Sequence, residues 1–200
     1  METKLRNILT LPHRLERTAA LAWWVQNLYP DKSVRPILVG GAAMELYAEG
    51  AYITADLDFV GIVPSPIAGD LRKSEFQRLG RQWLHNEESV SIIFHGETLR
   101  AGERAVQQIF GDYPVLVISP EDLLIDRLVS WRYCESPLHG IQAYLLYCGT
   151  HCWMNLEHLN KRAVQDEVES SLECLLKLFF QSRGQVPDGE LLGAWASRNI

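Results

Sequence analysis

The sequence has no long apolar run, no excess of basic charge and few cysteines, and each shortage excludes something. No stretch approaches the 18 consecutive apolar residues of a membrane span, and Met1 to Thr10 carry charges where a secretory signal would need an apolar segment. A cytoplasmic chain with no membrane partner is the expectation. With 19 Lys and Arg against 25 Asp and Glu, the formal charge is −6. Extensive DNA binding is therefore not expected, because that affinity comes from many basic contacts to phosphate. A local nucleic-acid site stays open. Cys134, Cys148, Cys152 and Cys174 lie late in the chain without CxxC spacing, so reduced, mostly buried thiols are expected. What is present is an ordinary globular composition: 200 residues, 47% of them apolar. A chain of this length hides roughly 70% of its unfolded surface, enough for a core without disulfides or structural metal.

Residues 13–28 place Leu15, Ala19, Ala22 and Trp23 at helical spacing and end at Pro30. Pro36 to Val39 reads as a buried strand stopping at Gly40-Gly41, and Ala42 to Glu49 as a helix with Gly50 as its left-handed cap. Asp56 to Val60 alternates polar and apolar residues at strand period. After a loop at Pro64 to Gly69, the recurrence of Leu71, Phe76, Leu79 and Trp83 predicts a helix up to His85. Val90 to Phe94 and Val115 to Ile118 are further strands, with a short helix expected around Arg104 to Phe110. Ser119-Pro120-Glu121-Asp122 opens a helix by an N-cap serine, an N1 proline and an N3 acid. From Pro137 the pattern is helical (138–147, 154–160, about 161–182) until Gly184 to Gly189 ends it. An α+β class follows: a strand-containing part, residues 1–118, and a helical part, residues 119–200, packed on it without a Pro-, Gly- or Ser-rich linker.

Chemistry concentrates between Pro36 and Val60. A strand running through two glycines into a helix gathers backbone N–H groups at the positive helix end, which suits phosphate. In Asp56-Leu57-Asp58 both acids project from one strand face. Two close carboxylates repel unless a cation lies between them, and Mg²⁺ (or Mn²⁺) takes such hard oxygens and completes its shell with water and phosphate.

The order strand, Gly40-Gly41, helix, strand with Asp56-x-Asp58 resembles the signature of the DNA polymerase β-like nucleotidyltransferase superfamily. Fourteen residues separate Gly41 from Asp56, and Thr54 precedes the pair; this interval looks more like the AbiEii and minimal nucleotidyltransferases of bacterial toxin-antitoxin and defence systems. Ser119-Pro120, Asp122, Asp126-Arg127-Leu128 and Gln142-Ala143 resemble the helices that follow the sheet in a bacterial subgroup. The resemblance implies a small mixed sheet with flanking helices. It also implies transfer of a nucleotidyl group from a metal-bound nucleoside triphosphate to a protein or RNA acceptor, with a toxin or defence component as partner protein. Asp56 and Asp58 would be the catalytic, metal-holding residues. Gly40 and Gly41 would admit the triphosphate, and Thr54 would donate to a phosphate or orient the strand. Two positions depart from the pattern: Ile93 stands where a third carboxylate is usual, and Ile125 where a lysine is common. The departures motivate the rival expectation, a degenerate fold acting as a binding module, antitoxin or scaffold.

Other signals are read as structural. Cys148, His151 and Cys152 lack a fourth zinc ligand. Asp126-Arg127 is expected to brace its helix against the sheet, and Trp23, Trp24, Trp83 and Trp131 to be core. Arg72, Lys73, Arg78 and Arg81 are expected around one solvated helix.

Overall fold

Pro36 has no N–H to give a sheet, and the first strand begins just after it. In the computed structural model, which describes residues 2–200, the strands are β1 (Ile37–Val39), β2 (Asp56–Val60), β3 (Phe76–Leu79), β4 (Gln82–His85), β5 (Ser91–Gly96), β6 (Ala105–Phe110) and β7 (Tyr113–Ile118). They form one mixed sheet in the order β3-β4-β5-β2-β1-β7-β6. The helices are α1 (Glu2–Leu9), α2 (Arg14–Asn27), α3 (Gly40–Tyr47), α4 (Ser65–Lys73), α5 (Pro120–Tyr133), α6 (Pro137–Thr150), α7 (Leu156–Gln165), α8 (Glu169–Gln181) and α9 (Gly189–Arg198). The class is α+β, as expected. The chain divides into two compact units, Met1–Ile118 and Ser119–Ile200.

In the first unit, β2 alternates as its sequence dictates: Leu57 and Phe59 are buried, while Asp56, Asp58 and Val60 are half-buried on the other face. It pairs antiparallel with β1 (Leu38 opposite Phe59, Val39 opposite Asp58) and parallel with β5 (Asp56 opposite Ser91, Asp58 opposite Ile93). β1 meets β7 at Leu38 and Val117. Beside this short pairing, the buried Gln26 of α2 supplies hydrogen bonds. Its amide donates to the Pro36 carbonyl (2.9 Å) and the Leu116 carbonyl (2.6 Å), and accepts from the Leu116 N–H (2.9 Å).

Several elements differ from expectation. The predicted helix up to His85 is α4 followed by the antiparallel β3–β4 pair, with Glu75 (φ 66°) and Gly80 (φ 62°) at the reversals. Each of these strands buries one residue, Phe76 and Trp83, so neither shows the alternation that marks a strand. Arg72 and Lys73 consequently end a helix, while Arg78 lies on β3 with its guanidinium, like that of Arg72, over the Trp83 ring. The helix expected at 104–110 is the edge strand β6, turned into β7 at Gly111 (φ 59°); Gln107 and Gln108 blur its period. Helix α1 is an addition. The left-handed cap of α3 is Glu49 (φ 49°), and Gly50 follows it, donating to the Glu45 carbonyl at 2.9 Å.

The second unit begins as read, with the Ser119 hydroxyl accepting from the Asp122 N–H. Asp122 is buried between Ser119, His158 and Arg162. Arg127 binds Asp126 (2.7 Å) and Gln142 of α6 (3.0 Å), so this pair braces α5 to α6. Ile125, where a lysine was expected by resemblance, is buried core. Trp131 is fully buried. A Cβ on Gly140 would lie 2.7 Å from its ring, which fixes glycine there. Helix α9 continues past the expected end; Asp188 caps it, and the Trp131 indole donates to its Ala196 carbonyl. The thiols are less buried than expected: Cys134 and Cys152 are exposed and Cys148 and Cys174 half-buried. Cys134 caps α5 and Cys152 follows α6, so neither lies on a packed helix face. Burial pushes the Cys148 and Cys174 thiols above the ordinary thiol range.

Candidate active site

The site is built at the end of β1. Val39 is extended, Gly40 turns into the left-handed region (φ 60°), and α3 starts there. A Cβ on Gly40 would lie 2.6 Å from Oδ2 of Asp58, and one on Gly41 would lie 2.8 Å from Oγ1 of Thr54. Both glycines are therefore demanded by close approach, and at Gly40 by backbone conformation as well. The Gly41 N–H points at Oδ2 of Asp58 (3.3 Å).

Thr54 is held from every side. Its hydroxyl accepts from the Asp56 N–H (3.3 Å), its N–H donates to Oε2 of Glu45 (3.3 Å), and its carbonyl accepts from Arg14. Glu45 is 1% exposed, and Nε of Arg14 donates to its Oε1 at 3.0 Å. A buried carboxylate with this set of donors is fully paired. These bonds fix the position of Thr54 while its hydroxyl, an acceptor here, keeps its own hydrogen to donate.

Asp56 and Asp58 share a face as the strand period requires. They differ in surroundings. Oδ1 of Asp58 lies 2.6 Å from Nε2 of His95, whereas no hydrogen bond or ion pair is made to the Asp56 carboxylate among the described residues. An ionised carboxylate only accepts, so the His95 nitrogen is the donor. His95 was not anticipated. It lies two residues beyond Ile93 on β5, where a bulge between Phe59 and Val60 shifts the register and lets the ring reach back to Asp58. The only hint in the sequence is that Ile93 and His95 share strand parity. Ile93 itself stands opposite Asp58, and Glu97 is an exposed residue beyond the strand.

Two carboxylates from one strand face, one without a partner, are the hard-oxygen set that Mg²⁺ accepts when water and phosphate complete its shell. Among the described residues no three His, Cys, Asp or Glu side chains converge to form a closed metal cage. The arrangement can thus hold an open-sided cation, with Asp56 as the available ligand and each Asp58 oxygen already in contact with one protein donor. No helix among the described residues is long and apolar enough to cross a membrane.

No protein-family model matches the chain, and no curated protein sequence does. Among solved structures, the chain is similar to an antigenic nucleotidyltransferase-like protein from Paracoccidioides brasiliensis, at 14% identity and a TM-score of 0.48, over 88% of this chain and 93% of that one. It is also similar to the antibiotic-resistance factor ANT(2'')-Ia, at 16% identity and a TM-score of 0.45, over 86% of this chain and 97% of that one. At these scores the likeness assigns no function.

Proposed function

We propose that this chain is a metal-dependent nucleotidyltransferase acting on a nucleoside triphosphate. The observation that carries the reading is the glycine cradle: Gly40 brings backbone, an α3 N–H and the Asp58 carboxylate within contact distance, beside the unpartnered Asp56. The sequence resemblance supports it. Gly40 and Gly41 leave the backbone bare for the triphosphate, and Thr54 and His95 orient Asp56 and Asp58. When bound, Mg²⁺ or Mn²⁺ neutralises charge on the phosphates. The acceptor oxygen bonds to the α-phosphorus as the bond to the bridging oxygen breaks. Pyrophosphate leaves with the electron pair, and the hydroxyl proton goes to water, because Ile93 provides no carboxylate to take it. Turnover is accordingly slow. The acceptor is a protein or RNA hydroxyl and the setting a cytoplasmic toxin-antitoxin or phage-defence module, as the resemblance implies.

One observation favours a second reading, a binding module or antitoxin scaffold. Both Asp58 oxygens are engaged within the protein, by His95 and by Gly41. Calorimetry separates the two. Under the first reading, wild type binds a nucleoside triphosphate with Mg²⁺ and Asp56→Asn/Asp58→Asn, still folded by circular dichroism, does not. Equal affinity in both proteins, or none in either, assigns the chain to the second.

A further inference from the structure

Within the first unit a cavity of about 240 Å³ opens between the first turns of α2 and the chain entering β2 and β5. Its volume is below the usual range for drug-sized ligands, so it suits a small metabolite and not a whole nucleotide. Its walls are half apolar, with Leu9, Leu21 and Val90 among them, and its charged lining is Arg14, Arg17, Asp56 and Glu88.

The charges are unequal in availability. Arg14 is held by Glu45 and the Thr54 carbonyl, as described. Arg17 makes one long contact, Nη1 donating to the Leu9 carbonyl at 3.5 Å, and its other donors have no partner among the described residues. A guanidinium with free donors is a fork for a carboxylate or phosphate. Asp56 and Glu88 have no side-chain partner among the described residues either. With Arg14 neutralised by Glu45, the lining carries one available positive charge and two negative ones. A phosphate dianion would add two negative charges to that excess, whereas a zwitterion adds none. A zwitterion answers both signs, and the apolar walls call for an apolar body.

We propose that this cavity binds a free α-amino acid, with Arg17 holding the carboxylate, Asp56 and Glu88 the ammonium, and Leu9, Leu21 and Val90 the side chain. The site does not depend on the nucleotide reading, although Asp56 is common to both. Titration calorimetry in EDTA, with L-leucine, L-tyrosine, inorganic phosphate and uridine monophosphate as probes, tests it. An amino acid binds and the two phosphates do not. Arg17→Ala weakens that binding at least tenfold with an unchanged melting temperature, since Arg17 makes one marginal contact. Val90→Phe, which fills the cavity, also abolishes it. Asp58→Asn removes magnesium-dependent triphosphate binding and leaves amino-acid affinity unaltered, so failure of one site is distinguishable from failure of the other. Absence of amino-acid binding, stronger binding of phosphate or uridine monophosphate, or an Arg17→Ala protein with wild-type affinity overturns the proposal.

Discussion

Gly40 meets two demands at once, a left-handed backbone and a carboxylate 2.6 Å from where a Cβ would stand. The two separate experimentally. Gly40→Ala should lower stability by about 2–4 kcal/mol, combining backbone strain with overpacking. In an Asp58→Ala background, where the carboxylate is removed and only the Asp58 Cβ at 3.0 Å remains in the way, the same change should cost less, about 1–2 kcal/mol. Chemical denaturation of the four proteins closes the cycle, and equal costs in both backgrounds would show that Asp58 does not press on Gly40. The demand on Gly40 and Gly41 was legible in the sequence as a turn ahead of Asp56-x-Asp58, since strand period alone places both acids on one face. The His95–Asp58 contact was not legible. It joins residues 37 apart in sequence through a parallel pairing and a bulge, and neither a parallel partner nor a bulge leaves a local mark in composition.

At the scale of elements, α2 lays Trp23 and Trp24 against Tyr113 and Phe76 of the sheet and adds the Gln26 amide. Gln26 serves three backbone groups that the short β1–β7 pairing and Pro36 leave without ladder partners. Gln26→Met, close in volume but unable to bond, should destabilise by about 2–4 kcal/mol through unsatisfied backbone groups. A urea midpoint within experimental error of wild type would show that water replaces the amide. Among the elements that were legible, β1, α3 and α5 combine a clear period with a stop or cap signal, namely Gly40-Gly41, the turn at Gly50 and Ser119-Pro120, while β2, β5 and β7 rest on their apolar pattern alone. β3, β4 and β6 have neither. Each of β3 and β4 buries one side chain, and β6 lies at the sheet edge with Ile109 67% exposed, so their strand state is imposed by neighbours and not by local pattern. Helix α9 was hidden for a related reason, since only Leu192 and Ala196 of its residues are buried.

Across the whole molecule the two units abut in sequence. Ile118 ends β7 and Ser119 caps α5, and both are buried. Limited digestion with subtilisin, which has broad specificity, should therefore spare this boundary and cut first between Arg100 and Arg104, in the exposed segment between β5 and β6. The product is two pieces of nearly equal mass on a denaturing gel; early fragments ending near residue 118 would contradict it. The sheet order carries a further consequence, for synthesis. β1 lies between β2 and β7, yet about 80 residues separate β1 from β7 in the chain. At ribosomal speeds of roughly 5–20 residues per second, β1 waits on the order of 4–16 s with one edge bare. Two neighbouring nascent chains could pair through such an edge. β1 is three residues long, and the proline just before it has no hydrogen to offer a foreign strand. Brevity and Pro36 together keep that edge waiting for its own β7.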